Sequence, residues 1–156
     1  NAMNTKITCG ANYINGRYAF IEAKSNGADL PMLKNKNGYI SESSGACVFL
    51  VKKGLILTPS LDCDILESIT RDTVIKIFSE NNYKIEERHI SEAEFNESDE
   101  IFLCGSAAEI TPIKLKTNTN FQIGDTTKFI FNEYQLAITA KKYNMYSWTT
   151  KVDVEL

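Results

Sequence analysis

The dipeptide Asn37-Gly38 constrains this chain more than any other pair of residues. Both residue types tolerate the positive φ of a tight β-turn, and such a turn commits its flanks to antiparallel pairing. Pro31–Lys36 and Ile40–Glu42 lie on either side, so a hairpin is expected there. A second hairpin should join Cys47–Val51 to Leu55–Thr58 across Lys52-Lys53-Gly54.

Helical patterns surround these hairpins. Residues 12–25 carry Tyr13, Arg17, Phe20, Ile21 and Lys24 at mixed helical spacing, and Asn26-Gly27 follows as a C-cap. Val74, Ile75, Ile77 and Phe78 define another helix, with Thr70 as the expected N-cap and Asn81-Asn82 as its end. Ser91 and Glu94 match a capping box for a short helix, and a last helix is expected over about Thr127–Tyr143. Lys84–Ile90, Glu100–Leu103 and Ile110–Leu115 read as strands, the last two separated by the small-residue turn Cys104-Gly105-Ser106-Ala107-Ala108. Strands outnumber helices and hairpins dominate. That predicts an α+β fold rather than alternating βαβ units. No repeat or low-complexity linker interrupts the chain, so residues 3–156 read as one domain. Asn1-Ala2 read as a cloning scar ahead of an initiator Met3.

Composition narrows the function classes. Apolar residues make up 43% and charged residues 24%, as in globular domains. The net charge of -3, with both signs interspersed, argues against nucleic acid or an anionic membrane surface as partner. No apolar run approaches the roughly 20 residues needed to span a bilayer. Cys9, Cys47, Cys63 and Cys104 form no CxxC pair, and the single His89 stands at no zinc spacing from them. The expectation is four free thiols, no metal, and a reducing cytoplasmic compartment.

Three segments in order then carry a specific resemblance. They are Asn37-Gly38-Tyr39-Ile40-Ser41-Glu42-Ser43-Ser44-Gly45, Thr58-Pro59 through Ile69-Thr70-Arg71-Asp72, and Asp99-Glu100-Ile101-Phe102 through Gly105-Ser106-Ala107-Ala108-Glu109-Ile110-Thr111-Pro112. In wording and spacing they resemble the C-terminal half of branched-chain aminotransferases, fold-type IV enzymes that use pyridoxal phosphate (PLP). The resemblance runs from about Asn12 to the C-terminus. It implies the PLP-binding domain of that fold, a hairpin-rich sheet or pseudo-barrel with flanking helices.

The chemistry of PLP explains such residues. The cofactor withdraws electrons while its pyridine nitrogen keeps a proton, and a carboxylate beside the nitrogen retains it. The resemblance gives this task to Glu42; taken alone, Glu42 is an exposed acid at a hairpin end. A phosphate suits the N–H groups and positive dipole end of a helix start. Ile69 and Thr70 open the predicted helix, though Thr70 also reads simply as its cap. By resemblance Ser106 adds a phosphate contact, and the backbone near Ala107 binds the substrate carboxylate; the plain alternative is a tight turn. Tyr13 matches the tyrosine that bonds the cofactor's phenolic oxygen, where an isolated reading makes it a core aromatic.

The sequence also departs from the family. Counting back from Glu42 through Tyr13 puts Thr8 where members carry the lysine that binds PLP covalently, and lysine occurs instead at Lys6. Were residues 6–8 extended, the two side chains would share a face about 7 Å apart. Lys6 is therefore the candidate catalytic group, against the reading of a solvated terminal charge. The family's Gly before Ile-Thr is Ser68 here, and its Glu-Asn after Gly45 is Ala46-Cys47. The family's N-terminal domain, with a phosphate-binding arginine, has no counterpart in the chain. The resemblance implies amino transfer between a branched-chain amino acid and 2-oxoglutarate, a homo-oligomer, and a separately encoded N-terminal half. Two alternatives stand beside it: a catalytically inactive binding or interaction domain, and an aminodeoxychorismate lyase-like enzyme.

Overall fold

The computed structural model describes residues 7–115 and 121–152. Both hairpins form. The first pairs β1 (Met32–Lys34) with β2 (Ile40–Ser43). Its loop is wider than the Asn-Gly signal suggests. Asn35 and Tyr39 close it, and the Asn35 side-chain oxygen accepts the N–H groups of Asn37 and Tyr39 at 3.0 and 3.1 Å. Gly38 takes φ +83°, whereas Asn37 is not in the left-handed region. The second hairpin joins β3 (Cys47–Lys52) to β4 (Leu55–Pro59) through Lys53 at φ +50° and Gly54 at +77°, the geometry of a two-residue primed turn.

Five strands make one sheet in the order β5-β4-β3-β6-β7, with β5 at Ile85–Arg88, β6 at Glu100–Gly105 and β7 at Glu109–Pro112. The alternation of side chains along β3 sorts the core into two layers. Cys47 and Phe49 join Phe102, Cys104 and Ile110 on one face, which α2 (Ile69–Glu80) and α4 (Asp125–Ile138) cover with Val74, Ile77, Phe78, Ile130 and Tyr134. Val48 and Leu50 join Leu57, Ile101 and Leu103 on the other. There they meet Ile40 of β2, Ile90, and Phe95 of the short α3 (Glu92–Asn96).

The α+β expectation is met, with one local difference. β4 pairs with β5 in parallel, and α2 provides the crossover between them. One βαβ unit is thus built into an otherwise antiparallel sheet. Alternation marks β5 as a strand but carries no direction, so the sequence did not disclose it. Arg71 fixes this unit. Its side chain is buried, donates to the Pro59 carbonyl at 2.8 Å and to Glu87 at 2.7 Å, and approaches Thr58 Oγ1 at 3.4 Å.

Two helix boundaries differ from expectation. The N-cap of α2 is Ser68 rather than Thr70, its hydroxyl accepting the Arg71 N–H. The last helix begins at Asp125 and stops at Ile138, since Ala140 and Tyr143 adopt positive φ. Glu100 of β6 caps its start by accepting from the Thr126 and Thr127 N–H groups and the Thr127 hydroxyl, at 2.7–3.2 Å. The capping box at Ser91 is half realised: Ser91 accepts the Glu94 N–H, while the Glu94 carboxylate turns to Arg88. The helix α1 (Tyr13–Ser25) forms as expected, but it leaves Ile14, Tyr18 and Ile21 at 56%, 70% and 55% exposure.

Arg71→Ala should cost about 2–3 kcal/mol in urea unfolding, because buried acceptors lose a charged donor. Glu87→Gln should cost under about 1 kcal/mol, since that carboxylate is half exposed and rehydrates.

Candidate functional site

The elements converge on an open cleft of about 890 Å³, within the range usual for cofactor and ligand sites. Its walls are α1, the β2–β3 turn, the segment leading into α2, and the turn after β6. Three close approaches shape it. A Cβ on Gly16 would come within 2.9 Å of Ser44 Oγ, so any larger residue there would make the Ser44 side chain turn away where α1 meets the β2–β3 turn. Gly45, at φ +83°, lies against the Tyr13 ring. A Cβ on Gly105 would come within 3.2 Å of the Gly45 carbonyl, so the two turns nearly touch at the cleft floor.

Glu42, Tyr13, Ile69, Ser106 and Ala107 all line this one space. Four separate segments supply them, which a linear pattern alone does not guarantee. Glu42 is half-buried, and its Oε2 accepts the Leu66 N–H at 3.1 Å. Burial pushes its carboxyl above the ordinary glutamate value, with the Leu66 bond opposing. Ser68 takes the Arg71 N–H with its hydroxyl and the Asp72 N–H with its carbonyl. The N–H groups of Ile69 and Thr70 precede the intrahelical ladder and remain the natural anion donors at this helix start. Ile69 is 83% exposed. Thr70 differs: its side chain is buried, does not line the cleft, and interacts with the Tyr134 hydroxyl beneath the helix. Its backbone N–H, ahead of the intrahelical ladder, is what it offers at the helix start.

Thr8 lines the cleft beside Tyr13, and Lys6 lies outside the described residues. Asn12, ahead of the tyrosine, donates to the Ile7 carbonyl at 2.7 Å and holds that entry segment against the start of α1. On the floor, Cys47 and Cys104 face each other across β3 and β6. A thiol–thiol hydrogen bond pulls Cys47 below its ordinary value, and the same contact together with burial pushes Cys104 well above. Along the sequence these read as unrelated core thiols. Only the strand register brings them together.

Known proteins share this architecture. The model of the family "Amino-transferase class IV" matches residues 8–115. The chain belongs to the class IV aminotransferase family. Within it, the similar proteins are branched-chain aminotransferases. A probable branched-chain-amino-acid aminotransferase of Aquifex aeolicus is 36% identical over 156 residues, covering 97% of this chain and 50% of that relative. The Escherichia coli K12 branched-chain-amino-acid aminotransferase is 31% identical, with 98% and 50% coverage. Among solved structures, the Thermobaculum terrenum branched-chain amino acid aminotransferase in its PLP form superposes with a TM-score of 0.90 at 37% identity, covering 95% of this chain and 50% of that one. The branched-chain aminotransferase of the archaeon Thermoproteus uzoniensis, solved with norvaline, gives 0.90 at 34% identity, covering 96% and 50%. The chain spans about half the length of the relatives it matches.

Glu42→Gln should stabilise the domain near neutral pH. A carboxyl whose folded pKa is raised keeps its proton longer when folded, so stability falls as pH rises from the ordinary glutamate value through the raised one. The amide avoids that loss and still accepts the Leu66 N–H. Thermal melts should show an increase of about 2 °C or less at pH 8, vanishing near pH 4; a decrease at pH 8 contradicts this account.

Proposed function

We propose that this chain is the PLP-binding half of a branched-chain aminotransferase, completing an active site together with the half its relatives carry in addition. What carries the reading is the convergence of Glu42, Tyr13, the start of α2 and the Ser106-Ala107 turn on one cleft, in a chain whose relatives are such enzymes. The residues present fit the cofactor. Gly105 brings the turn after β6 close to the Gly45 carbonyl, and the backbone of both turns borders the cleft. The Ile69 and Thr70 N–H groups and the Ser106 hydroxyl would hold the phosphate. Tyr13 would bond the phenolic oxygen, and Glu42 would hold the proton on the ring nitrogen. PLP, when bound, supplies the electron sink for moving an amino group between a branched-chain amino acid and a 2-oxo acid such as 2-oxoglutarate.

The protein's own part is to bind, orient and hold a proton. The carboxylate of Glu42 is costly in its half-buried setting, and a cationic ring nitrogen would recover that cost. The N–H near Ala107 would take the substrate carboxylate. The exposed apolar residues of α1 support association with the other half or with a second copy, and four free cysteines suit a cytoplasmic setting. No described helix is long and apolar enough to cross a membrane. Thr8 favours a second reading, in which the domain holds PLP without a covalent bond and performs no transfer. Lys6 as the covalent group is the competing proposal.

The chain alone should bind PLP and inorganic phosphate, seen as protection in thermal unfolding at millimolar ligand. Glu42→Gln should weaken PLP binding and leave phosphate binding unchanged, because only PLP presents a ring nitrogen. No turnover of leucine with 2-oxoglutarate is expected from the chain by itself. A yellow complex that loses its colour in Lys6→Ala would select the covalent form. Absence of any protection by either ligand, or turnover near the enzyme median of about 10 per second, would overturn the reading.

A further inference from the structure

Outside the cleft, the loop after β4 and the residue after β5 bring together three side chains of different chemistry. Asp62, Cys63 and His89 place a carboxylate oxygen, a sulfur and an imidazole nitrogen within 4.8 Å of one another. We infer that they form a binding site for a borderline divalent cation of the zinc class, Zn²⁺ or Co²⁺. Hard cations such as Mg²⁺ and Ca²⁺ take oxygen ligands, whereas a thiolate–imidazole–carboxylate set selects a transition metal.

The spacing suits that ion. Around tetrahedral zinc, bonds of roughly 2.0–2.3 Å put ligand atoms roughly 3.3–3.6 Å apart. His89 Nε2 and Asp62 Oδ2 stand at 2.8 Å and would part slightly, while Cys63 Sγ would close in. The surroundings already aim these groups. Tyr39 stacks on the His89 ring with centroids 4.6 Å apart. The Ser60 hydroxyl donates to Asp62 and also lies 3.8 Å from Cys63 Sγ. A backbone bond from the Ser60 N–H to the Arg88 carbonyl ties the two segments together, and one from the Cys63 N–H to the Ser60 carbonyl closes the loop that carries Cys63. Such outer contacts are what orient metal ligands. Coordination exchanges the Cys63 S–H bond for an S–metal bond and releases that proton to solvent. It displaces only an exposed Asp62–His89 contact, which contributes little in water. Three protein ligands leave the fourth position to water. The sequence hid this site because His89 is far from Cys63 along the chain, and only the parallel β4–β5 pairing brings them side by side.

Co²⁺ titration of the purified full chain reads the site directly. A thiolate-to-cobalt charge-transfer band with visible bands of a tetrahedral centre is expected, displaced by Zn²⁺. Cys63→Ser should abolish the charge-transfer band, and Cys9→Ser should leave it intact. Cys63 is fully buried and its variant risks misfolding, so the exposed positions give the second arm. His89→Gln and Asp62→Asn, checked for native melting, should each weaken Co²⁺ binding at least about tenfold. No band in the unaltered protein overturns the proposal. So does a band that persists in Cys63→Ser, or affinity unchanged in both exposed variants.

Discussion

The middle strand β3 is paired on both sides and buried on both faces, and the rest of the molecule depends on that position. Its alternate residues feed two cores that never mix, one under α2 and α4 and one under the β1–β2 ribbon. Its first residues leave the β2–β3 turn at Gly45, where the glycine of the β6 end comes so close that a side chain there would push the backbone by a few tenths of an ångström. The cleft is therefore a product of sheet packing. Its floor moves only if the central strand moves, so the groups aimed into it inherit the rigidity of the core.

The electrostatics of the cleft are split between its two sides. Positive character sits at the start of α2, where two N–H groups precede the helical ladder, and suits an anion. Across the space, Glu42 is a carboxylate kept short of water and stabilised by one backbone donor. A ligand with a phosphate at one end and a cationic ring nitrogen at the other would satisfy both. Thr8 stands at the entry of this space, next to the start of α1.

Much of this was legible in the residues. Hairpin turns announce themselves through Gly38 and Gly54, whose positive φ is a local demand, and the helix over Val74–Phe78 shows in its own period. Short, ordered signatures singled out Glu42, Ile69, Ser106 and Ala107, and the fold brings all four to one cleft. What stayed hidden is non-local. The parallel direction of β5, the capping of α4 by Glu100, the facing of Cys47 and Cys104, and the turning of the Thr70 hydroxyl toward Tyr134 each depend on a partner distant in sequence. The cap of α2 was misplaced by two residues for a plainer reason. Ser68 and Thr70 are both good caps, and the burial of Thr70 decides between them.

The seat of the Glu100 carboxylate has a consequence for how such chains diverge. A Cβ built on Gly124 would fall 1.9 Å from Glu100 Cδ, so the acid occupies the very space that any side chain at residue 124 would need. Neither residue can drift freely. A lineage that replaces the glycine must swing the acid aside or lose it, and then find a new cap for the last helix from within its first turn. The two positions are bound as an evolutionary pair, and across homologous chains their substitutions are expected to occur together, although neither touches the cleft.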